Sequence, residues 1–166
     1  SFINSICHVF GSGITTSKSG ILLQNRGVNF RLEKNHPNCI QGGKRPLHTI
    51  IPGLLTNTNN ETILSYGVMG GQYQPIGQSH VLQNIIDYKQ SIQEAIDFPR
   101  SFALNGQLKV EKSLNTKVVE KLEIIGHKIF VVPDAIGGGQ CIQINRDEGV
   151  FIGGSDPRKD GLAIGF

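Results

Sequence analysis

The chain has 166 residues, of which 38% are hydrophobic and 17% charged, so it is long enough and apolar enough to form a folded domain with a core. Its net charge of +3 comes from Lys and Arg residues scattered along the sequence, which argues against nucleic-acid binding. Its apolar runs are all shorter than the ~18 residues of a membrane span, and its three cysteines form no Cys-x-x-Cys pair of a metal or redox motif.

The first third of the chain favours strands and loops. Residues 1–6 alternate in polarity and contain β-branched side chains, which predicts a short strand. A loop rich in Asn, Pro and Gly follows at residues 35–43. The apolar stretches 50–55 and 63–68 are separated by Asn and Thr residues, so together they predict a β-hairpin.

Two helices are expected next. Residues 78–88 carry apolar side chains at helical spacing, which predicts one face lying against a sheet. Ser91 and Glu94 form a Ser-x-x-Glu capping box that begins a second, short helix. Pro99 ends this helix, because proline lacks an amide donor and restricts the residue before it.

The last third predicts a helix and a hairpin. Asn115 is placed to cap a helix whose apolar residues lead to Gly126, a residue suited to the C′ position. Ile142 and Ile144 face Val150 and Ile152 across residues 145–149, which predicts a second hairpin.

Five distinctive motifs follow one another along the chain. They are Phe10-Gly-Ser-Gly13, Gly43-Lys-Arg-Pro-Leu-His-Thr-Ile-Ile-Pro52, Gly67-Val-Met-Gly-Gly71, Gln93-Glu-Ala-Ile-Asp-Phe-Pro-Arg100 and Gly153-Gly-Ser-Asp-Pro-Arg-Lys-Asp-Gly161. Together they resemble the C-terminal, small-subunit part of the gamma-glutamyltranspeptidase family of N-terminal-nucleophile hydrolases. The resemblance runs from residue 1 to residue 166. It implies an α+β fold forming part of an αββα sandwich, and we treat residues 1–166 as one domain.

The resemblance also implies a reaction. Family members attack an amide with a threonine that self-cleavage makes the first residue of the small subunit, and its free α-amine can serve as the base. Matching Phe10-Gly-Ser-Gly13 to the family pattern puts that threonine roughly a dozen residues before residue 1. We therefore expect a large-subunit-like upstream segment as partner. The alternative is a family remnant that catalyses nothing and acts at most as a binding module.

Gly70 and Gly71 match the glycine pair whose backbone N–H groups stabilise the oxyanion in the family. Glycine suits this role because the backbone can approach a substrate without a side chain in the way. From the glycines alone, a tight turn after the preceding strand is the favoured explanation. The flanking Gln74-Pro75 and Gly77 also match the family and favour the oxyanion role.

Ser5 falls where the family carries a hydroxyl residue that hydrogen-bonds the catalytic threonine. A structural serine in a strand is the alternative. Cys7 aligns with an asparagine of classical members, and we interpret it as a packing residue.

Arg26 and Asn29 stand where classical transpeptidases hold the glutamyl amino group with Gln and Asp. Replacing the carboxylate by an amide and adding a guanidinium favours an anionic group over an ammonium. His48 and Thr49 likewise replace a Ser-Ser pair that contacts the glutamyl carboxylate. The alternatives are a surface salt bridge for Arg26 and a core position for His48.

This combination resembles the branch that contains oxamate amidohydrolase and cephalosporin-acylase-like proteins. It predicts hydrolysis of a small amide that carries a carboxylate. Ser155, Asp156 and Arg158 are expected to form a structural turn, bonded to backbone or to each other. The histidines lie at no metal-ligand spacing, so neither a metal nor an organic cofactor is expected.

Overall fold

The computed structural model describes residues 2–165, and these form two compact units. The N-terminal unit comprises residues 2–49 and the C-terminal unit residues 50–165. The expectation of one domain over residues 1–166 stays a prediction. No helix in the described part of the chain is long and apolar enough to cross a membrane.

The N-terminal unit consists mostly of turns, with one 3-10 turn at Arg26–Asn29 and isolated bridges that join Thr15 to Leu22 and Arg31 to Cys39. The strand predicted at residues 1–6 is wrong for residues 2–6, and Ser1 lies outside the described residues. Alternation alone does not make a strand, because its backbone groups need a ladder partner. Here the Asn25 N–H donates a single bond to the Ile6 carbonyl, at 3.2 Å.

The C-terminal unit holds seven strands and three α-helices in its described residues. The strands are β1 Gly53–Thr56, β2 Thr62–Met69, β3 Ser101–Leu104, β4 Gln107–Val110, β5 Ile129–Val131, β6 Gly138–Asn145 and β7 Val150–Ser155. The helices are α1 Gln74–Ile86, α2 Ile92–Asp97 and α3 Thr116–Ile124. The expected α+β class is confirmed.

The main sheet is antiparallel, in the order β1-β2-β6-β7. Both predicted hairpins, β1-β2 and β6-β7, are confirmed. In the second, Ile144 lies opposite Phe151 and Ile142 opposite Gly153, so the expected pairing of Ile142 and Ile144 with Val150 and Ile152 is out of register.

A second sheet has the order β3-β4-β5. β3 and β4 form a hairpin that the sequence analysis missed, although Asn105 and Gly106 both have positive φ in its turn. Asn-Gly between two apolar-rich runs is a strong hairpin signal. β5 lies parallel to β4, with α3 in the connection between them.

The helices begin where their capping residues predict, with one exception. Ser91 and Glu94 form the complete capping box of α2, and Asn115 accepts the Lys117 N–H to cap α3. α1 begins at Gln74, four positions before the predicted residue 78. Pro75 allows this, because the first helical turn needs no N–H donor from it.

One face of the main sheet is covered by α1 and α2, and the core lies between them. Its buried residues are Leu64, Val68, Tyr73, Val81, Ile92, Ala95, Ile96, Ile136 and Cys141. The ladder puts Leu54, Ile142 and Phe151 on the opposite face, which we call the open face. These side chains are 66%, 51% and 75% exposed, respectively.

A buried ion cluster connects the ends of several elements. Arg100 and Asp156 pair at 2.6 Å with almost no solvent contact. Arg158 donates to both Asp156 and Glu111, the latter at 2.6 Å. The remaining donors and acceptors bond to backbone groups, among them the carbonyls of Ile96 and Ile136 and the N–H of Gly139. The predicted structural turn around Asp156 and Arg158 is confirmed, whereas Arg100 and Glu111 were missed.

Burial alone would raise the pKa of the Asp156 carboxyl. The backbone N–H groups of Gly139 and Arg158 and the Arg100 guanidinium outweigh it and hold this pKa below its ordinary value. Burial likewise opposes ionisation of Glu111, but Arg158 and the N–H groups of Ile136 and Arg100 hold its pKa below the ordinary value too. The cluster is therefore ionised at neutral pH.

We predict that Asp156→Asn destabilises the protein that contains this chain by about 3–5 kcal/mol, because it leaves the Arg100 charge buried without its partner. Urea titration at pH 7 measures the loss. Asp147→Asn, an exposed change in the β6-β7 turn, is the control and should move the midpoint little. An equal effect of the two variants would contradict the prediction.

The same cluster predicts a pH dependence. Because both carboxyls have a lower pKa when folded, their contribution is complete above the ordinary values of 3.8 and 4.5 and is lost as pH falls through the folded values. The stability gap between wild type and Asp156→Asn should therefore shrink below about pH 4. A gap that widens towards acid pH would contradict this sign.

Candidate functional site

The candidate oxyanion-binding glycines lie at the corner between β2 and α1. β2 ends at Met69, a 3-10 turn spans Gly71–Tyr73, and α1 begins at Gln74. Gly70 has φ +135° and Gly71 has φ +58°, both in the region that L side chains rarely adopt. Both residues are exposed. The backbone of this corner thus requires glycine and leaves its surface open.

This corner has the chemistry of an anion-binding site. Gly71 is the first residue of the helical segment that leads into α1, and the first N–H groups of a helix have no intrahelical acceptor. The Tyr73 N–H donates to the Gly70 carbonyl at 3.1 Å and closes the turn. The helix dipole adds a partial positive charge at this end. A developing oxyanion is a suitable acceptor for such N–H groups.

Ser5 and Arg26 are in contact within the N-terminal unit. Arg26 Nη2 donates to Ser5 Oγ at 3.0 Å, and the Cys7 N–H donates to the same oxygen at 3.2 Å. Cys7 has φ +79°, which sequence reasoning did not predict. The recorded partner of the Arg26 guanidinium in the described residues is thus a hydroxyl, not the carboxylate of a surface salt bridge. Arg26 is half-buried at the start of the 3-10 turn.

Asn29 is held beside the segment that carries His48 and Thr49. Its side-chain Nδ2 donates to the Leu47 carbonyl at 2.9 Å. The Asn38 side chain connects the same two segments, because it donates to the Asn29 carbonyl at 2.5 Å and accepts the Leu47 N–H at 3.0 Å. We call Asn29, Asn38 and Leu47 the asparagine clasp. Sequence reasoning did not single out Asn38.

The structure thus brings the predicted substrate-binding residues into two groups of the N-terminal unit. Ser5 contacts Arg26, and Asn29 adjoins the residues before His48 and Thr49. His48 is exposed, so the alternative of a core histidine is wrong. Gly70 and Gly71 belong to the C-terminal unit. Across residues 2–165, no group of three His, Cys, Asp or Glu residues could hold a metal ion.

Comparison with known proteins places the chain in a family. The family model described as gamma-glutamyltranspeptidase matches residues 1–166. The glutathione hydrolase-like YwrD proenzyme of Bacillus subtilis is 38% identical, and the match covers 100% of this chain and 33% of that protein. The oxamate amidohydrolase proenzyme of Klebsiella pneumoniae is 34% identical, again over 100% of this chain and 33% of that protein.

Solved structures agree with this assignment. A cephalosporin acylase from Bacillus halodurans has a TM-score of 0.86 and 45% identity, covering 92% of this chain and 29% of that one. A gamma-glutamyltranspeptidase from Pseudomonas nitroreducens has a TM-score of 0.88 at 22% identity and covers 99% of this chain and 92% of that one. The second likeness concerns the fold.

The fold is that of the N-terminal-nucleophile hydrolases. The chain belongs to the gamma-glutamyltranspeptidase family. Its relatives include an oxamate amidohydrolase and a cephalosporin acylase, which confirms the predicted branch. The chain corresponds to the C-terminal part of such proteins and spans 33% of the length of the first two curated relatives.

We predict that Asn38→Ala loosens the N-terminal unit locally, because it removes two hydrogen bonds of the asparagine clasp. Hydrogen exchange should accelerate in peptides covering residues 29–31 and 46–49, and exchange in α1 should stay unchanged. The control is Asn35→Ala, an exposed change in the same loop. Identical exchange patterns in the two variants would contradict the prediction.

Proposed function

We propose that this chain is the C-terminal portion of an amide hydrolase that uses an N-terminal threonine supplied from a segment before residue 1. The proposal rests on the Gly70–Gly71 corner, where backbone N–H groups lie at the start of a helix, as an oxyanion requires. The family assignment supports it, as do the names of two relatives, an oxamate amidohydrolase and a glutathione hydrolase-like proenzyme.

The reaction divides between residues inside and outside this chain. The threonine oxygen attacks the amide carbonyl while its α-amine takes the proton, and the carbonyl oxygen becomes an oxyanion. The N–H groups of Gly70 and Gly71 donate hydrogen bonds to that oxyanion. Collapse expels the amine with the proton and leaves an acyl-enzyme ester, which water then hydrolyses. One oxyanion donor stabilises such a transition state by about 3–4 kcal/mol.

Ser5 has the chemistry to orient the threonine. Its oxygen already accepts hydrogen bonds from Arg26 and from the Cys7 N–H. A hydroxyl that accepts two bonds still has one O–H to donate. We assign this O–H to the threonine oxygen, so that Arg26 polarises the donor through Ser5.

The substrate that fits best is a small amide with a carboxylate. Arg26 supplies a permanent positive charge, and its guanidinium contacts Ser5, the residue that we assign to orienting the threonine. Asn29, His48 and Thr49 supply amide, imidazole and hydroxyl groups in place of the carboxylate and hydroxyls that suit a glutamyl group. Hydrolysis therefore suits this site better than transfer to an amino-acid acceptor.

The open face of the main sheet is suited to a partner segment. Its apolar side chains, Leu54, Ile142 and Phe151, are more than half exposed, and exposed apolar patches of this kind mark interaction surfaces. We assign this face to the upstream, large-subunit-like segment of the same family, because two curated relatives are proenzymes of about three times the length that this chain covers.

The test uses the complete protein that the gene encodes. We expect release of ammonia from oxamate-like amides and slow cleavage of gamma-glutamyl anilides. Arg26→Gln should raise KM for the carboxylate-bearing amide by about 10–150-fold, since a charge-assisted contact contributes about 1.5–3 kcal/mol. Arg31→Gln, an exposed change nearby, is the control and should leave KM unchanged.

Two results would contradict the proposal at different levels. Rapid cleavage of gamma-glutamyl anilides without cleavage of oxamate-like amides would refute the substrate class alone. Absence of any amide cleavage, together with a Gly71→Val variant that leaves every phenotype unchanged, would favour the non-catalytic remnant.

A further inference from the structure

Tyr73 is a buried aromatic residue two positions after Gly71 of the Gly70–Gly71 corner. It is 2% exposed and belongs to the core between the main sheet and its helices. Its N–H closes the corner through the Gly70 carbonyl. Its position in the chain therefore couples the core to the candidate oxyanion site.

One edge of the Tyr73 ring lies against three glycine backbones. A Cβ on Gly70 would come within 3.2 Å of Cδ1, and one on Gly137 within 2.8 Å of the same atom. A Cβ on Gly77 would come within 2.5 Å of Cε1. The distances at Gly137 and Gly77 are too short for a real side chain, and the distance at Gly70 is tighter than most Cβ contacts. The backbone of all three glycines therefore approaches this ring edge closely. The ring therefore fills the space beneath the corner.

Other contacts hold the ring in this place. The Phe102 ring on β3 meets Tyr73 edge to face, with centroids 5.4 Å apart and planes at 74°. Gly137 lies close to the corner as well, because a Cβ on Gly70 would be 3.2 Å from the Gly137 Cα. The corner is thus confined by the ring and by the Gly137 backbone.

The hydroxyl of Tyr73 points away from the corner. The Tyr73 atoms nearest Gly70 are the methylene Cβ and the ring Cδ1, whereas the ring atoms Cε1 and Cζ lie nearest Gly77, further along α1. The hydroxyl is buried, and within the described residues it has no hydrogen-bond partner. Burial raises the pKa of Tyr73 to about 12, so it stays protonated at neutral pH. A buried phenol aimed into the core is a poor proton donor for a reaction at the corner.

We propose that Tyr73 is a positioning residue for the oxyanion site, and that the edge of its ring, with no part played by its hydroxyl, fixes the Gly70–Gly71 backbone. This inference rests on the function proposed above. The inference distinguishes the role of the Tyr73 ring from that of its hydroxyl. Phenylalanine should therefore preserve the function of Tyr73, and a flexible aliphatic residue should not.

The experiment compares Tyr73→Phe with Tyr73→Met in the complete protein. Tyr73→Phe should keep kcat and KM within about twofold and keep or raise the melting temperature, because it removes an unpartnered buried hydroxyl. Tyr73→Met retains apolar volume but loses the rigid edge. It should lower kcat by about 10–100-fold with little change in KM, the range expected for a misplacement of about 1 Å.

The matched control is Leu64→Ala, which removes buried volume from the same core at the other end of β2. It should lower stability by about 2–5 kcal/mol and leave kcat unchanged at temperatures where the protein is folded. Equal kcat losses in Leu64→Ala and Tyr73→Met at matched fractions folded would overturn the inference, because loss of core packing would then explain both.

Hydrogen exchange keeps the inference testable without activity. Peptides covering residues 69–73 should exchange faster in Tyr73→Met than in wild type, but not in Tyr73→Phe. If Tyr73→Met does not fold, the same exchange measurement is made on Phe102→Leu, which removes the aromatic contact that supports the Tyr73 ring.

Loss of kcat in a well-folded Tyr73→Phe variant would overturn the inference and leave the proposed amide hydrolysis standing. An inactive wild type would refute the proposed function, and the exchange pattern alone would then decide whether Tyr73 orders the corner.

Discussion

The pair between Arg100 and Asp156 is the constraint on which the rest of the C-terminal unit depends. Arg100 binds the carbonyls of Ile96 and Ile136, and Asp156 accepts the N–H of Gly139. These bonds tie the end of α2, the segment before β6, the start of β6 and the end of β7 to one buried point. Gly137 lies between two of the bonded residues and adjoins Gly70, so the ion pair also determines where the candidate oxyanion corner can lie.

A buried ion pair is seldom the most stable solution, since apolar residues of equal volume can stabilise a core as well or better. Its advantage here is that charged side chains form hydrogen bonds with particular backbone groups. Arg158 donates to the carbonyls of Ile96, Asp97 and Phe98 at the end of α2, where the last carbonyls of a helix have no intrahelical donor. Apolar side chains could fill this volume, but they could not satisfy those carbonyls. The cluster therefore specifies the arrangement of chain ends more than it adds stability.

Local signals in the sequence predicted local structure well. The capping box at Ser91, the Asn115 cap and the two hairpins of the main sheet depend on residues close in sequence, and the structure confirms them. The charge cluster was only half predicted, because Arg100 and Asp156 are 56 positions apart and no spacing rule joins them. The strand prediction for residues 2–6 was wrong for a related reason. A strand needs a hydrogen-bonded partner strand, and alternation of polar and apolar residues does not supply one. At the candidate site, motif resemblance found individual residues, while the contacts of Ser5 with Arg26 and of Asn29 with Leu47 required the fold.

The two units are stabilised by different kinds of contact. None of the residues 2–49 is buried, and the recorded contacts of that unit are largely bonds between polar side chains and backbone, such as those of Asn38 and of Asn25 with His8. Substitution at an exposed or half-buried polar position costs little stability compared with a core position. The C-terminal unit instead holds its glycine corner against a packed ring and a buried ion pair, where little change is tolerated. Under the proposed function, a family built this way can exchange a Gln and an Asp for Arg26 and Asn29, and so change the charge of its substrate, while the oxyanion site stays the same.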